Sequence, residues 1–219
     1  MLTLSEELFL LTMNEKKNSL AVSSAHALPA ALSGAIFVEL IQNKMVQLDE
    51  NSKVSLVEPA PADNKNADHF LKKIASAKKP KKLEYWIGVF SLQSKKLHKE
   101  IVSSLIEKKI LKEKKGRLLW VIPFLDYSQA DASAKFWRKR HLRAIILAGE
   151  KIDPQSAALL SLLKASGLLD HVFTNDEIKF AGKRADDLLR DEALASDFIK
   201  MLEKISTAAR AAITAVESD

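Results

Sequence analysis

A lysine-rich turn followed at once by an apolar run is the stretch of this sequence whose side chains most clearly indicate a binding function. The turn reads KEKKGR at residues 112–117, and the next eight residues, LLWVIPFL at 118–125, include no polar side chain. Cationic groups attract anionic headgroups, while aromatic and aliphatic side chains enter the boundary of a bilayer. The combination predicts contact with an anionic membrane surface. Composition alone leaves open a buried strand beside a solvated turn.

Residues for catalysis or metal binding are not arranged in any recognisable way. The six glycines are isolated from one another, so the sequence has no phosphate-binding glycine loop, dinucleotide fingerprint or nucleophile elbow. The five histidines never occur three or four residues apart, the spacing that places two metal ligands on one helical face. Cysteine is absent, which excludes disulfides and thiolate chemistry. We therefore expect no catalytic residue, no metal and no cofactor.

Positive charge is concentrated in the middle of the chain. The net charge is +6, yet residues 65–150 contain 21 Lys or Arg against 8 Asp or Glu, whereas both flanking segments are net acidic. Such an asymmetric field favours an anionic partner, which could be a phospholipid surface, a nucleic acid or an acidic protein. A lysine-rich surface kept only for solubility is the remaining interpretation.

Length and composition indicate one compact globular domain over residues 1–219. Of the 219 residues, 47% are hydrophobic, and there are only six glycines and six prolines, which argues against a disordered chain. The first residues are acidic, unlike a secretory leader, and no apolar run is long enough to cross a bilayer. We expect a cytoplasmic protein whose contact with a membrane is peripheral.

The elements that must position these residues are mostly helical. Thr3 and Glu6 predict a capping box at the start of the first helix, and Pro29 suits the first turn of a second helix that ends at Gln42. The spacing of apolar residues predicts the other helices. They span 68–77, 83–90, 97–111, 132–147, 155–169, 176–189 and 194–216.

Two hairpins interrupt the helices in this prediction. Short apolar runs on either side of a polar turn predict a small hairpin near residues 45–57, and the apolar run predicts a protruding one at about 117–127. In the helix after it, Lys135, Lys139 and Arg143 recur every four residues, so we expect a cationic face opposite a buried face that includes Trp137. The fold class is therefore mainly α, a compact multi-helix bundle with a protruding β-hairpin.

Five segments, in this order, resemble the Golgi phosphoprotein 3 family. They are LTLSEELFLL at 2–11, LSGAIFVEL at 32–40 and LIEKKIL at 105–111, followed by the C-terminal pair ALLSLLKASGLL at 158–169 and KRADDLL at 183–189. Each motif alone is mostly leucine and glutamate, so the order carries the resemblance, which spans nearly the whole chain. The chain looks like a prokaryotic member without the family's N-terminal extension, so coat-adaptor function is not implied.

The resemblance implies a helical fold with a hairpin, no known catalysis and peripheral binding to phosphatidylinositol 4-phosphate. The family's hairpin contacts the bilayer and takes part in self-association, which makes a homo-oligomer an expected partner beside the anionic membrane. The corresponding hairpin residues here are Trp120, Val121, Ile122 and Phe124.

The family's headgroup contacts are only partly retained. An arginine pair three residues apart corresponds to Lys95 and His98, and we expect His98 to be cationic only below its ordinary pKa of ~6.5 or beside a phosphate. A tryptophan and a third arginine correspond to Ser24 and Ser33, so selectivity for one phosphoinositide is not implied. The residues expected to support a basic face are Lys96, Lys99, Lys114, Lys115 and Arg117.

Two other functions remain open. A helix over 97–111 followed by a basic turn and an apolar run also resembles the helix-plus-wing half of a winged helix, although no preceding helix carries obvious base-reading side chains. Nucleic acid therefore ranks behind lipid as a partner. Alternatively, the hairpin lies in an interface between subunits and the chain is an assembly module.

Overall fold

The computed structural model describes residues 1–13, 27–57, 65–113, 127–190 and 194–217. Within them the fold is mainly α, as predicted. The helices are α1 (Leu4–Thr12), α2 (Leu28–Gln42), α3 (Lys65–Ala75), α4 (Leu83–Ser91), α5 (Ser94–Glu107), α6 (Ser133–Arg143), α7 (Pro154–Ala165), α8 (Asn175–Leu188) and α9 (Ser196–Glu217). A π-helical turn, Ala144–Ala148, continues α6, and a 3-10 turn, Leu169–His171, lies between α7 and α8.

Among the described residues, five short strands form two small antiparallel sheets. In the first sheet, β1 (Val46–Leu48) pairs with β2 (Lys53–Leu56), which pairs with β3 (Lys81–Lys82). The predicted hairpin near 45–57 is therefore present, with a third strand that the sequence analysis missed. In the second sheet, β4 (Leu111–Glu113) pairs with β5 (Tyr127–Gln129). This pair flanks the segment predicted to contain the protruding hairpin, and residues 114–126 lie outside the described residues.

Helix α2 lies at the centre of the bundle. It contacts α1, α4, α7 and α9, and its buried residues occupy every side of the helix, as expected of an element surrounded by others. Gly34 permits the close approach of α7 and α9, because a Cβ there would lie 2.8 Å from Cδ2 of Leu162 and 3.2 Å from Cγ2 of Ile205. The buried apolar side chains form one cluster around this helix.

Buried carboxylates attach α1 to its neighbours. The predicted capping box is present: Thr3 Oγ1 accepts a hydrogen bond from the backbone N–H of Glu6, and the Glu6 side chain accepts from the backbone N–H of Thr3. Glu6 also accepts from Ser104 of α5 and from Lys108, the residue that follows α5. Glu39 of α2 accepts from the first backbone N–H groups of α1. Glu6 therefore has a structural role, because its buried charge is paired with Lys108.

The prediction for the faces of α6 was wrong. Lys135 is 6% exposed and donates to the carbonyl oxygen of Met13 at 2.6 Å, while Arg138 donates to Glu7 at 2.5 Å. Trp137, predicted to be buried, is 59% exposed. The polar groups of α1 that face α6 need partners, and the long basic side chains supply them while their apolar stems fill the interface.

The predicted end of the helix before the hairpin was also wrong. The structure ends α5 at Glu107, and Lys109 has a backbone φ of 60°, in the left-handed region that stops a helix. Leu111, predicted to be helical, instead begins β4 opposite Gln129. Apolar residues recur at helical spacing between positions 105 and 111, which predicted one continuous helix. This pattern does not distinguish a helix from a strand at Leu111, because Leu111 is buried in the observed strand as it would be in a helix.

Candidate functional site

The first turns of α5 present a group of exposed lysines. Lys95, Lys96 and Lys99 are exposed, and the first turn of α5 contains no acidic residue. The N-terminus of a helix is its positive end, so cations there cost about 0.3–1 kcal/mol of helix stability. Lysines at the positive end of a helix favour an anion. The lysines at this end of α5 lower the stability of the helix but favour the binding of an anionic ligand.

A side-chain network holds Lys96 beside α3. Lys96 Nζ lies 3.1 Å from His69 Nδ1, and His69 Nε2 lies 2.8 Å from Gln93 Oε1. An ammonium group can only donate, so Nδ1 accepts from Lys96 and Nε2 carries the proton that is donated to Gln93. Gln93 in turn donates to the carbonyl oxygen of Val89 in α4 at 3.3 Å. The network fixes the start of α5 against both α3 and α4.

His98 does not extend this basic surface as a cation. Its ring packs edge-on against Phe9 with a centroid separation of 5.8 Å, and its Nε2 is buried without a hydrogen-bond partner among the described residues. Burial lowers the pKa of His98 to about 4, so the expectation of a value near 6.5 was wrong. A contact of His98 with a headgroup stays a prediction, with the ring neutral at physiological pH.

Ser33 is not placed to line a ligand site. It is 0% exposed, and its hydroxyl donates to the carbonyl oxygen of Pro29 within α2 at 2.8 Å. The position at which the family carries an arginine is therefore part of the core. Ser24 lies outside the described residues.

The predicted hairpin contacts lie almost wholly beyond what the structure describes. The described residues on either side of the predicted hairpin pair as β4 and β5, with Leu111 opposite Gln129 and Glu113 opposite Tyr127. The predicted tip and its basic residues lie outside the described residues, so their roles stay predictions. They are Lys114, Lys115, Arg117, Trp120, Val121, Ile122 and Phe124.

An exposed aromatic pair on α6 was missed by the sequence analysis. Phe136 and Trp137 are 56% and 59% exposed, and their rings meet edge to face at a centroid distance of 5.3 Å. The Arg140 guanidinium lies 5.5 Å from the Trp137 ring centroid. Amphipathic aromatic rings beside cations are typical of protein surfaces at the membrane boundary. The signal was the segment KFWRKR at 135–140, in which the aromatic pair is flanked by cations.

The described residues also provide information on metal sites and on membrane-spanning helices. Within residues 1–13, 27–57, 65–113, 127–190 and 194–217, no three His, Asp or Glu side chains are close enough together to hold a metal ion. In the same part of the chain, every helix is too short or too polar to cross a bilayer.

Comparison with known proteins gives one family. The family model described as Golgi phosphoprotein 3 (GPP34) matches residues 4–215, which is nearly the whole chain. No curated protein matches the chain.

Proposed function

Because the chain belongs to the Golgi phosphoprotein 3 family, we propose that it is a non-enzymatic peripheral membrane protein that binds anionic phospholipid headgroups. The site is the basic start of α5 together with the apolar hairpin that follows it. The observation that carries the proposal is the exposure of Lys95, Lys96 and Lys99 around a helix N-terminus without an acidic residue in its first turn. The cytoplasmic side of a membrane supplies the matching negative surface.

The aromatic pair of α6 supports the same function. Helix α6 follows β5 after three residues, and backbone N–H groups of Ala130 and Asp131 donate to the carbonyl oxygen of Ile110, beside β4. The β4–β5 pair therefore lies between α5 and α6 along the chain and is hydrogen-bonded to the connection on either side. Lysines contribute electrostatic attraction of about 1 kcal/mol each near an anionic leaflet, and inserted aromatic rings contribute apolar burial.

The lipid class that we propose is anionic and phosphoinositide-like, without selectivity for phosphatidylinositol 4-phosphate at the inherited position. Selective recognition of a phosphorylated ring needs a guanidinium fork or an aromatic wall. Here the corresponding residues are the exposed Lys95, the neutral His98 and the buried Ser33. A single ammonium group attracts an anionic headgroup but does not select one headgroup shape over another.

Charge reversal at Lys95 tests the basic surface. We expect Lys95→Glu to weaken binding to phosphatidylserine-containing vesicles roughly tenfold, because it replaces an attraction with a repulsion. The measurement is co-sedimentation over a range of lipid concentrations. Lys179→Glu, an exposed position on α8, makes the same change in net charge and is the control. Equal loss of binding in both variants would contradict a specific role for the start of α5.

Assembly through the hairpin is the second candidate function. Within the described residues, β4 and β5 pair only with each other, which leaves an outer edge on each strand for another copy of the chain. Sizing of the protein by light scattering tests this candidate. A Trp120→Asp, Phe124→Asp variant that changes from an oligomer to a monomer while still binding vesicles would favour assembly over membrane contact for the hairpin.

A further inference from the structure

A groove that combines lysines with apolar residues lies between the end of α3, the connection to β3 and the outer side of α4. Its volume is about 530 Å³, which is large enough to receive part of a ligand or a partner. No acidic residue contributes to the lining, and Glu84, which precedes Tyr85 along the chain, is not part of it. We call it the lysine groove, after the four lysines that line it, Lys73, Lys78, Lys79 and Lys81.

The charges of these four lysines are not neutralised by the protein itself. None of the four forms an ion pair with any residue that the structure describes. On the adjacent turn of α3, by contrast, Lys72 is paired with Asp68 at 2.6 Å. Like charges around one concavity repel one another and attract an anionic partner. The groove is therefore complementary in charge to a surface rich in carboxylates.

The apolar residues of the groove lie deeper than the lysines. Trp86 is 4% exposed and Ala77 and Val89 are half-buried, whereas three of the four lysines are exposed. Tyr85 is 51% exposed and lies at the edge, where Lys81 Nζ is 5.5 Å from the centroid of its ring. The lysine groove therefore has an apolar floor beneath a cationic rim.

Both the floor and the rim are attached to well-packed parts of the molecule. Trp86 stacks on the ring of Phe90, which is buried in the core. On the rim, β3 pairs with β2, and the N–H of Leu83 donates to the carbonyl oxygen of Ser52 at 2.8 Å. Groups that are already positioned lose less conformational entropy on binding than mobile groups do. The groove is thus preformed for a partner of matching shape and charge.

The depth of the apolar floor distinguishes the lysine groove from a surface that inserts into a membrane. On an inserting surface the apolar side chains reach beyond the cations and enter the acyl boundary. Here a flat bilayer would meet the lysines first, and the floor beneath them would stay out of reach. An apolar side chain that projects from a helix can enter the groove, while carboxylates beside it meet the rim. Amphipathic helices bind grooves through such projecting anchors.

From these observations we propose that the lysine groove docks an acidic amphipathic helix of another protein. The apolar anchors of that helix pack on Ala77, Trp86 and Val89 and against the ring of Tyr85. Its aspartates and glutamates lie opposite the four lysines of the rim. This interaction goes beyond the proposed membrane function and does not depend on it, because the groove residues differ from the lysines at the start of α5.

Fluorescence anisotropy with a labelled synthetic peptide tests the docking of such a helix. The probe is a capped helical peptide of about fifteen residues with leucines on one face and glutamates on the other. We expect the unaltered chain to bind it and the Lys78→Glu, Lys79→Glu variant to bind it roughly tenfold more weakly. Lys179→Glu, Lys183→Glu is the matched control and should retain binding, because both pairs are exposed and both variants lower the net charge from +6 to +2. Equal affinities of the two variants would overturn the proposal, as would the absence of binding by the unaltered chain.

A second peptide separates the apolar floor from the cationic rim. It has alanine in place of each leucine and the same charge, and we expect the unaltered chain to bind it roughly tenfold more weakly than the first peptide. Tyr85→Ala should weaken the leucine peptide roughly threefold and leave the alanine peptide unchanged, with little change in the unfolding temperature because Tyr85 is 51% exposed. Equal affinities of the unaltered chain for the two peptides would overturn the proposal, because attraction between charges alone would then explain the binding.

Vesicles and duplex DNA distinguish this interaction from the other uses of a basic surface. If the acidic peptide binds in the groove while anionic vesicles are not bound, the proposal stands and the membrane function fails. If vesicles bind equally to the unaltered chain and to the Lys78→Glu, Lys79→Glu variant, and the peptide binds to neither, the membrane function stands and the proposal is overturned. Loss of vesicle or DNA binding in that variant, with peptide binding unchanged, would also overturn it and would assign the lysines to that other partner.

Discussion

Glu39 and His98 are two mostly buried ionisable side chains whose pKa values move in opposite directions. Burial raises the pKa of Glu39 from 4.5 to about 7, against the lowering effect of the Ser5 and Leu4 backbone hydrogen bonds. Burial lowers the pKa of His98 from 6.5 to about 4. In both cases the neutral form is favoured, as expected where the charged form loses its hydration.

These shifts predict how two variants depend on pH. Folded His98 binds fewer protons than the unfolded chain between pH 6.5 and 4, so it lowers stability as the pH falls through that range. Relative to the unaltered chain, His98→Leu should gain about 3 kcal/mol of unfolding free energy between pH 6.5 and 4. Urea denaturation at several pH values measures this difference.

The opposite sign applies to Glu39. The folded chain holds the Glu39 proton between pH 4.5 and 7, so this residue lowers stability as the pH rises through that range. Glu39→Gln retains an acceptor for the α1 backbone and should gain about 3 kcal/mol relative to the unaltered chain between pH 4.5 and 7. Curves parallel to that of the unaltered chain would show that neither pKa is shifted by folding.

Individual residues differ in how far the sequence predicted them. The Thr3 and Glu6 capping box was predictable, because its hydrogen bonds join residues three apart. The burial of Lys135 and His98 was not, because their partners Met13 and Phe9 lie about 90 to 120 positions away along the chain. Only tertiary packing decides which face of such a helix is turned inward.

At the scale of elements, α6 offers the clearest test of membrane contact within the described residues. The Phe136→Ser, Trp137→Ser variant should bind anionic vesicles at least fivefold more weakly, because two exposed rings no longer enter the interface. Its unfolding temperature should be nearly unchanged, since both residues are more than half exposed. Vesicle flotation and thermal melting measure the two effects.

Phe180→Ser is the control for this variant. Phe180 is 55% exposed on α8, so its replacement removes about as much exposed aromatic surface as Phe136→Ser alone, the single variant with which it is compared. We expect no change in vesicle binding. A comparable loss in both cases would mean that aromatic surface anywhere on the protein promotes binding, and α6 would have no particular role.

The hairpin gives a second prediction at this scale. If its apolar residues enter lipid, Trp120→Asp with Phe124→Asp should abolish vesicle binding, because a carboxylate is costly to place in the membrane interface. Co-sedimentation of the double variant with anionic vesicles measures this. Unchanged sedimentation would refute membrane contact by the hairpin, and the predicted tip would then belong to an interface between subunits.

The presence of the helices was predicted more accurately than the residues at which they begin and end. The α2 helix begins within one residue of the predicted Pro29 and ends at the predicted Gln42, because proline at the start and one apolar pattern define it. The end of α5 was misplaced, since Lys109 adopts a left-handed conformation that its residue type does not announce. Strand β3 was missed because two consecutive lysines gave no apolar alternation.

For the molecule as a whole, the uneven distribution of charge is the feature that unites the proposals. The 21 basic residues between positions 65 and 150 include those at the start of α5 and those at positions 112–117. The structure also removes some of them from that surface, because Lys108, Arg138 and Arg143 are paired with carboxylates of other elements. The cations left unpaired are the ones available to an anionic partner.

Binding of the unaltered protein to vesicles of controlled charge is the decisive test of whether it recognises anionic lipid. The measurement is co-sedimentation with vesicles of phosphatidylcholine alone or mixed with phosphatidylserine, at low and at physiological salt. The account predicts binding only to the mixed vesicles and a marked decrease with salt, because exposed charges are screened. Equal binding to both kinds of vesicle, or to neither at low salt, would contradict it.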